Sequence, residues 1–395
     1  MGFKKFKADQ LFDGNKFLDK ETVLVTDEEG VIHDLVPKVE AGDDMIEIKG
    51  IISPGFINCH CHLELSHMKG MIPVSTGLVQ FVVDVVQQRH LPGSDPADLE
   101  GLILSAMEKA EDEMLKNGIV GVGDICNNAL SIHQKTKGRI YYHNFIEASG
   151  FDPSIALTRF QRSLEYYKAY AQFYSIPIDS NSIVPHAPYS VSEELWKFIL
   201  HFPGNRIMTI HNQETAGENE WFMNKSGEMR SLYEKMNLDT SFFKPSGKSS
   251  LQTYVTKFLP NQSLILVHNV YTSSEDLLFC QSPVVHCQLF WCLCPNANVY
   301  ITGQLPDVNM LVKNNCAIVL GTDSLASNHS LSILDEMRTL RSHFPTISTG
   351  ILLHWATLNG ARALQMDSLL GSFEKGKKPG VVNTDHELSF VKRLI

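Results

Sequence analysis

The stretch "NCHCH" at residues 58–62 sets four metal-ligating side chains in an unbroken row: Cys59, His60, Cys61 and His62. The apolar run "GIISPGF" precedes it and the polar "LELSHMKG" follows, so the segment reads as a short buried strand running into a loop. Side chains alternate between the two faces of a strand. His60 and His62 therefore share one face, and Cys59 and Cys61 share the other. A zinc finger draws on separated Cys-x-x-Cys pairs, and one strand cannot aim four consecutive side chains at one ion. The two cysteines accordingly read as small packed hydrophobes. A His-x-His pair alone is as compatible with chance as with chemistry, and the decision rests on what other groups the chain brings to the same place.

The elements that would position those groups are legible as a rhythm. Eight short apolar or β-branched runs recur: "GFINCH" (55–60), "GIVGVGDICN" (118–127), "RIYYHNFIEA" (139–148), "NSIVPHAPYS" (181–190), "RIMTIHNQE" (206–214), "SLILVHNVY" (263–271), "FWCLCPNAN" (290–298) and "CAIVLGTDS" (316–324). Helical patterning separates several of them, as in "DLEGLILSAMEKAEDEMLKNG", which ends at Gly118, and "SEELWKFILHF". Near-continuous apolar strands alternating with helices predict a parallel sheet, and eight such units predict a (β/α)8 barrel. A doubly wound sheet is the weaker reading, because no G-x-G-x-x-G follows an early strand. The first fifty residues and the tail "LLGSFEKGKKPGVVNTDHELSFVKRLI" read as turns and short strands. The expected division is residues 1–52 and 367–395 as the two parts of a small β domain, and residues 53–366 as the barrel.

Barrel enzymes carry their chemistry at the C-terminal ends of the strands. Here those ends bear His60 and His62 (first strand), His186 (fourth), His211 and then Glu214 (fifth), His268 (sixth) and Asp323 (eighth). Any one of these histidines has an ordinary reading as a hydrogen-bonded core or loop residue; their shared position is the signal. His60, His62, His211 and Asp323 supply three imidazoles and a carboxylate, a donor set for zinc or iron(II) rather than calcium or magnesium. Such an ion lowers the pKa of a bound water to about 7. Glu214 is placed to shuttle a proton without binding metal. His268 is placed to orient the attacking water or stabilise a developing oxyanion.

Composition excludes other classes. The chain has 395 residues, 43% hydrophobic and 20% charged, with a formal net charge of −10 and no clustered basic stripe, so a nucleic-acid role finds no footprint. No apolar run approaches a membrane span of ~18 residues, and "MGFKKFKADQLFDGNKFLDKE" lacks the apolar core of a signal peptide. Eight cysteines without an export signal predict reduced thiols and a cytoplasmic setting. A homo-oligomer is compatible with the sequence. The "CLC" at 292–294 reads as packing, His329 as a loop histidine, and Phe81, Trp196 and Trp221 as core or pocket wall.

The pieces "PGFINCHCHLELS", "PHAPYS", "HNQETAGENEW", "LVHNV", "CPNAN", "LGTDS" and "ATLNGARAL" span about residues 51–378. Together they resemble the amidohydrolase superfamily, in the branch of cytosine, guanine and adenosine-type deaminases and chlorohydrolases. The resemblance implies a distorted (β/α)8 (TIM) barrel with a small β-sandwich from both termini. It implies metal ligands at His60, His62, His211 and Asp323, proton transfer through Glu214, an orienting role for His268, proton acceptance by Asp323, and substrate contact by His186. Two departures stand out. The bridging lysine of binuclear branches is missing after the fourth strand, where the nearest lysine is Lys197, which implies one metal ion. Pro379 and Gly380 replace the usual Ala-Asp pair in the tail. The implied reaction is hydrolytic deamination of a small heterocycle. "HCHLELS" and the following helix with Arg89 are similar to the aminodeoxyfutalosine deaminases, and "PHAPYS" and "ETAGENEW" also to adenosine and S-adenosylhomocysteine deaminases. Glu64, one alternation beyond His62, is then the candidate for ribose hydroxyls, and Arg89 for a substrate carboxylate. The alternatives are a guanine- or cytosine-type deaminase or a chlorohydrolase using the same parts, and, more remotely, a non-catalytic assembly protein.

Overall fold

The eight apolar runs fold into two four-stranded parallel sheets that meet edge to edge. The computed structural model describes residues 2–90, 95–172 and 180–395. Four strands precede the barrel: β1 (Phe3–Leu11), β2 (Thr22–Asp27), β3 (Ile32–Pro37) and β4 (Ile46–Pro54). The first half-barrel is β5 (Phe56–Cys61), β6 (Ile119–Cys126), β7 (Tyr141–Ala148) and β8 (Asn181–Pro185), paired in that order. The second is β9 (Ile207–Asn212), β10 (Ser263–His268), β11 (Gln288–Leu293) and β12 (Ile318–Leu320), also paired in sequence order. Every residue of β5, β6, β8, β9 and β10 is buried. Burial on both faces is why these strands read as unbroken apolar runs rather than as alternating ones.

The seams between the half-sheets carry few bonds, and those bonds lie beside the site. At one seam the His211 amide donates to the His186 carbonyl (3.0 Å). At the other, the Thr322 and Asp323 amides both donate to the His60 carbonyl at 3.0 Å, and Cys61 bridges Asp323 in parallel register. Asn58 completes that closure. Its Nδ2 donates to Thr322 Oγ1 (2.7 Å), and its Oδ1 accepts from the Thr322 amide (3.1 Å).

Local signals account for the helices between strands. The helix Pro96–Lys116 ends before Gly118, whose φ is +76°, a conformation natural to glycine. A Cβ at that position would stand 2.6 Å from Val382 Cγ1, so the turn also needs a residue without a side chain. The helix Glu193–Leu200 starts at Ser192, whose side chain accepts from the Leu195 amide, with Glu193 and Glu194 facing the positive helix end.

The two termini pair with each other, in one sheet rather than the two-sheet sandwich that the resemblance implies. They build one six-stranded sheet in the order β14 (Val391–Arg393), β13 (Val381–Thr384), β4, β1, β2, β3. The Pro379–Gly380 departure is absorbed without breaking this sheet. The Pro379 carbonyl accepts from the Gly55 amide (3.0 Å), and β13 pairs antiparallel with β4 directly afterwards. No helix among the described residues is long and apolar enough to cross a membrane.

Candidate active site

The C-terminal strand ends converge on a cavity of about 580 Å³ lined by His62, His186, His211, Glu214, His268 and Asp323, among others. Three of the predicted residues, His62, His211 and Asp323, line its floor, and His60 lies fully buried directly beneath them. The ligand atoms of His60, His62, His211 and Asp323 all lie within 4.8 Å of one another, and all four side chains are buried. His60 Nε2 and His62 Nε2 are 3.2 Å apart, and Asp323 Oδ1 is 3.4 and 3.3 Å from them. Donors bonded at ~2.0–2.2 Å to one tetrahedral ion stand roughly 3.3–3.6 Å apart, so these atoms have the spacing of a ligand shell. The surroundings prepare them for it. His211 Nδ1–H donates to the His186 carbonyl (2.8 Å), which leaves Nε2 as a lone pair facing the cluster. Burial, followed by the nearby imidazoles His186 and His62, holds His211 down to about 4, in the neutral form that is able to bind a metal. Asp323 Oδ2 accepts from Ser327 Oγ (2.6 Å), which turns Oδ1 toward the histidines. The residues present therefore fit a divalent metal ion.

The backbone holds these side chains in costly conformations. Gln213, His268, Asn269 and Asp323 all have positive φ, between +47° and +77°, a region that non-glycine residues rarely enter and that clusters at functional sites. Buried hydrogen bonds enforce it. Asn269 Nδ2 donates to the carbonyls of Leu266 (2.8 Å) and Cys292 (3.1 Å). Gln213 Nε2 donates to Asp276 Oδ2 (2.9 Å), and the Gln213 amide donates to Glu218 Oε1 (3.0 Å). Glu214 follows directly and is buried, with Oε2 3.8 Å from His268 Nε2. Burial, reinforced by the charges of Asp323 and Glu218, raises its carboxyl well above the usual carboxylate range. His268 Nδ1 lies 3.0 Å from Asn298 Nδ2, so Nε2 is the nitrogen turned to the cavity.

A model of the amidohydrolase family matches residues 51–391. The chain belongs to the amidohydrolase family. Its relatives include an adenosine deaminase of Helicobacter pylori, 27% identical over 92% of this chain and 88% of that protein. Another is a 5-methylthioadenosine/S-adenosylhomocysteine deaminase of Teredinibacter turnerae, 25% identical over 90% of this chain and 77% of that protein. Among solved structures, the Helicobacter pylori aminofutalosine deaminase in complex with methylthio-coformycin superposes with a TM-score of 0.78, covering 97% of this chain and 92% of the other at 22% identity.

The remaining predicted residues of this amidohydrolase lie on the cavity wall, not all as their spacing suggested. His186 lines the cavity, with Nδ1 3.0 Å from Ser190 Oγ and its ring 4.7 Å from that of His211. Glu64 lines it too, but strand alternation does not carry it there. The chain turns into a 3-10 helix, Leu63–Met68, immediately after His62. The Glu64 carboxylate already accepts from the Asn127 and Asn128 amides (3.0 and 3.1 Å) and from Asn128 Nδ2 (3.0 Å). Burial pushes that carboxyl up to about 8. Arg89 caps the C-terminus of the helix Leu78–Gln88 and lines the cavity, its Nε donating to His90 Nε2 (3.3 Å). Phe81 is pocket wall, whereas Trp196 and Trp221 are core. Lys197 is exposed and paired with Glu194 (2.7 Å).

Several contributors escaped sequence reasoning. Arg159 and Arg162 also line the cavity; their i, i+3 spacing on the helix Ala156–Ala171 was a usable signal. Glu147 ends β7 in the cavity wall. A buried ion pair supports the turn after His62: Lys135 Nζ sits 2.5 Å from Asp124 Oδ2, and Asp124 Oδ1 accepts from the Leu63 amide (2.8 Å).

Proposed function

We propose that this amidohydrolase is a hydrolytic deaminase of 6-aminopurine nucleosides, of the aminodeoxyfutalosine, adenosine or S-adenosylhomocysteine type, with one zinc (or iron) ion held by His60, His62, His211 and Asp323. The carrying observation is that this cluster of candidate ligands lies at the floor of a cavity of about 580 Å³, with His62, His211 and Asp323 lining it and Glu214 and His268 beside them. The ion, when bound, makes water acidic enough to serve as a nucleophile at neutral pH. The protein's own groups do the rest. Glu214 donates a proton from its carboxyl to the ring nitrogen next to C6, which makes C6 electrophilic. Asp323 receives the proton that the water loses. His268 Nε2 faces the oxygen that adds to C6 and orients it. The C6–oxygen bond forms, the C6–nitrogen bond breaks, and ammonia leaves after a proton passes through Glu214. His186 contacts the base, Glu64 the ribose, and Arg89 an anionic 5′ substituent.

In this reading residues 53–366 are the catalytic barrel, and residues 1–52 and 367–395 form the flanking β unit. The protein works in the cytoplasm, in keeping with eight free cysteines. The test is ammonia release by metal-replete protein from aminodeoxyfutalosine, adenosine, S-adenosylhomocysteine and guanine. The nucleosides are expected to react with higher kcat/KM than guanine. If none of the four releases ammonia above background, the proposal fails.

A further inference from the structure

A second set of donors stands beside the first. Glu147 at the end of β7, His186 just past β8 and His211 in β9 bring one carboxylate oxygen and two imidazole nitrogens within 4.8 Å of one another. Glu147 Oε1 is buried and has no hydrogen-bond partner among the described residues; the Glu147 side chain is only 7% exposed. A buried carboxylate oxygen without a partner is costly, so the fold has aimed this atom at something it does not itself supply. The nearest candidate is His186 Nε2, 3.9 Å away, beyond hydrogen-bond reach but close to the span of two ligands on one ion. The Nδ1 side of His186 is already occupied by Ser190 Oγ at 3.0 Å, so Nε2 is the nitrogen free to bind.

We propose that Glu147 Oε1 and His186 Nε2 form a second, weaker divalent-cation site adjoining the first. Its weakness follows from His211. With Nδ1 committed to the His186 carbonyl, His211 has a single lone pair, and the primary ion takes it. The second ion then has two protein donors, with water filling the remaining positions. Because His186 also lines the substrate cavity, an ion held there occupies space the substrate needs. Excess zinc therefore inhibits by competing with substrate. This competition rests on the function proposed above; the binding itself does not.

Zinc binding by equilibrium dialysis, without substrate, tests the site. The expected result is one tight and one weak ion per chain, with the weak one lost in Glu147→Gln and in His186→Asn while the tight one remains. A single class of site up to millimolar zinc overturns the proposal, as does a weak ion that persists in both variants. Anomalous diffraction at the zinc edge from crystals soaked in excess zinc gives an independent reading: density between Glu147 and His186 supports the site, and density elsewhere only removes it. If the weak ion binds but no nucleoside is deaminated, the second site stands and the substrate reading falls.

Discussion

Replacing Ser327 with alanine tests the proposed metal site through a group that touches a candidate ligand, Asp323, rather than the ion. Ser327 is fully buried, and its hydroxyl donates to Asp323 Oδ2 at 2.6 Å. A hydrogen bond to a carboxylate contributes about 1.5–3 kcal/mol, and burial denies water the chance to replace it. The bond restrains the rotation that keeps Asp323 Oδ1 within 3.4 Å of both His60 and His62. If that restraint is realised in metal binding, the loss at 1.4 kcal/mol per decade corresponds to about 10–100-fold weaker affinity. The assay is competition against a calibrated chelator, with Asp323→Ala as the reference for complete loss of the ligand and circular dichroism to establish the fold. The wild-type and Ser327→Ala proteins should differ by at least one decade in zinc Kd. A difference within twofold, while Asp323→Ala binds far more weakly, would refute the idea that Ser327 orients the carboxylate. No weakening in Asp323→Ala would remove Asp323 from the ligand set altogether.

Glu214→Gln should retain its metal and lose about 100-fold or more in kcat; loss of metal would make Glu214 a ligand, and full activity would take it out of the reaction. Lys135→Met strips the partner from buried Asp124 and should cost about 3–5 kcal/mol in urea unfolding; a cost below about 1 kcal/mol would mean the pair is not what supports the turn at Leu63. His143 is buried against Ser182 Oγ (3.0 Å), and burial, then Lys135, holds it down to about 3. The unfolded imidazole protonates below about 6.5 and the folded one does not, so its contribution is present above pH 6.5 and is lost progressively as pH falls toward 3. Between pH 6.5 and 5 wild type should therefore lose about 1.6 kcal/mol more than His143→Gln, measured by urea unfolding at each pH; parallel pH profiles would contradict this.

The barrel was legible because strands buried on both faces are mostly apolar, and the histidines and carboxylates gather at their C-terminal ends. That is why His186, His211, His268 and Asp323 stood out at the ends of otherwise apolar segments. What the pattern concealed depends on contacts between distant segments. Asn58, next to the His-x-His pair, joins the first barrel strand to Thr322 through its side-chain amide. Ser327 lies only four residues past Asp323, yet the loop conformation that turns its hydroxyl onto Oδ2 has no sequence pattern. Glu147 sits in "NFIEA", where one carboxylate in a strand gives no sign of whether it faces solvent, an ion pair or a cavity. Glu64 shows the opposite failure. It lies in the cavity wall as expected, but a helical turn carries it there and Asn127 and Asn128 hold it. Alternation was extended past the point where hydrogen bonding with β6 ended.

The closure through Asn58 and Thr322 joins residues 264 positions apart, and His60 and His62 wait for Asp323 across the same gap. At ~5–20 residues per second, a ribosome needs roughly 13–53 s to bridge it. Throughout that time the outer edge of β5 has no partner, and the nascent chain holds at most three of the four donors. If the proposed site holds its ion, capture comes late in the life of the polypeptide, after both edges of the barrel have found each other. A metal supplied early in synthesis meets an incomplete cradle. The exposed edge strand of the half-made barrel is the aggregation-prone stage of that assembly.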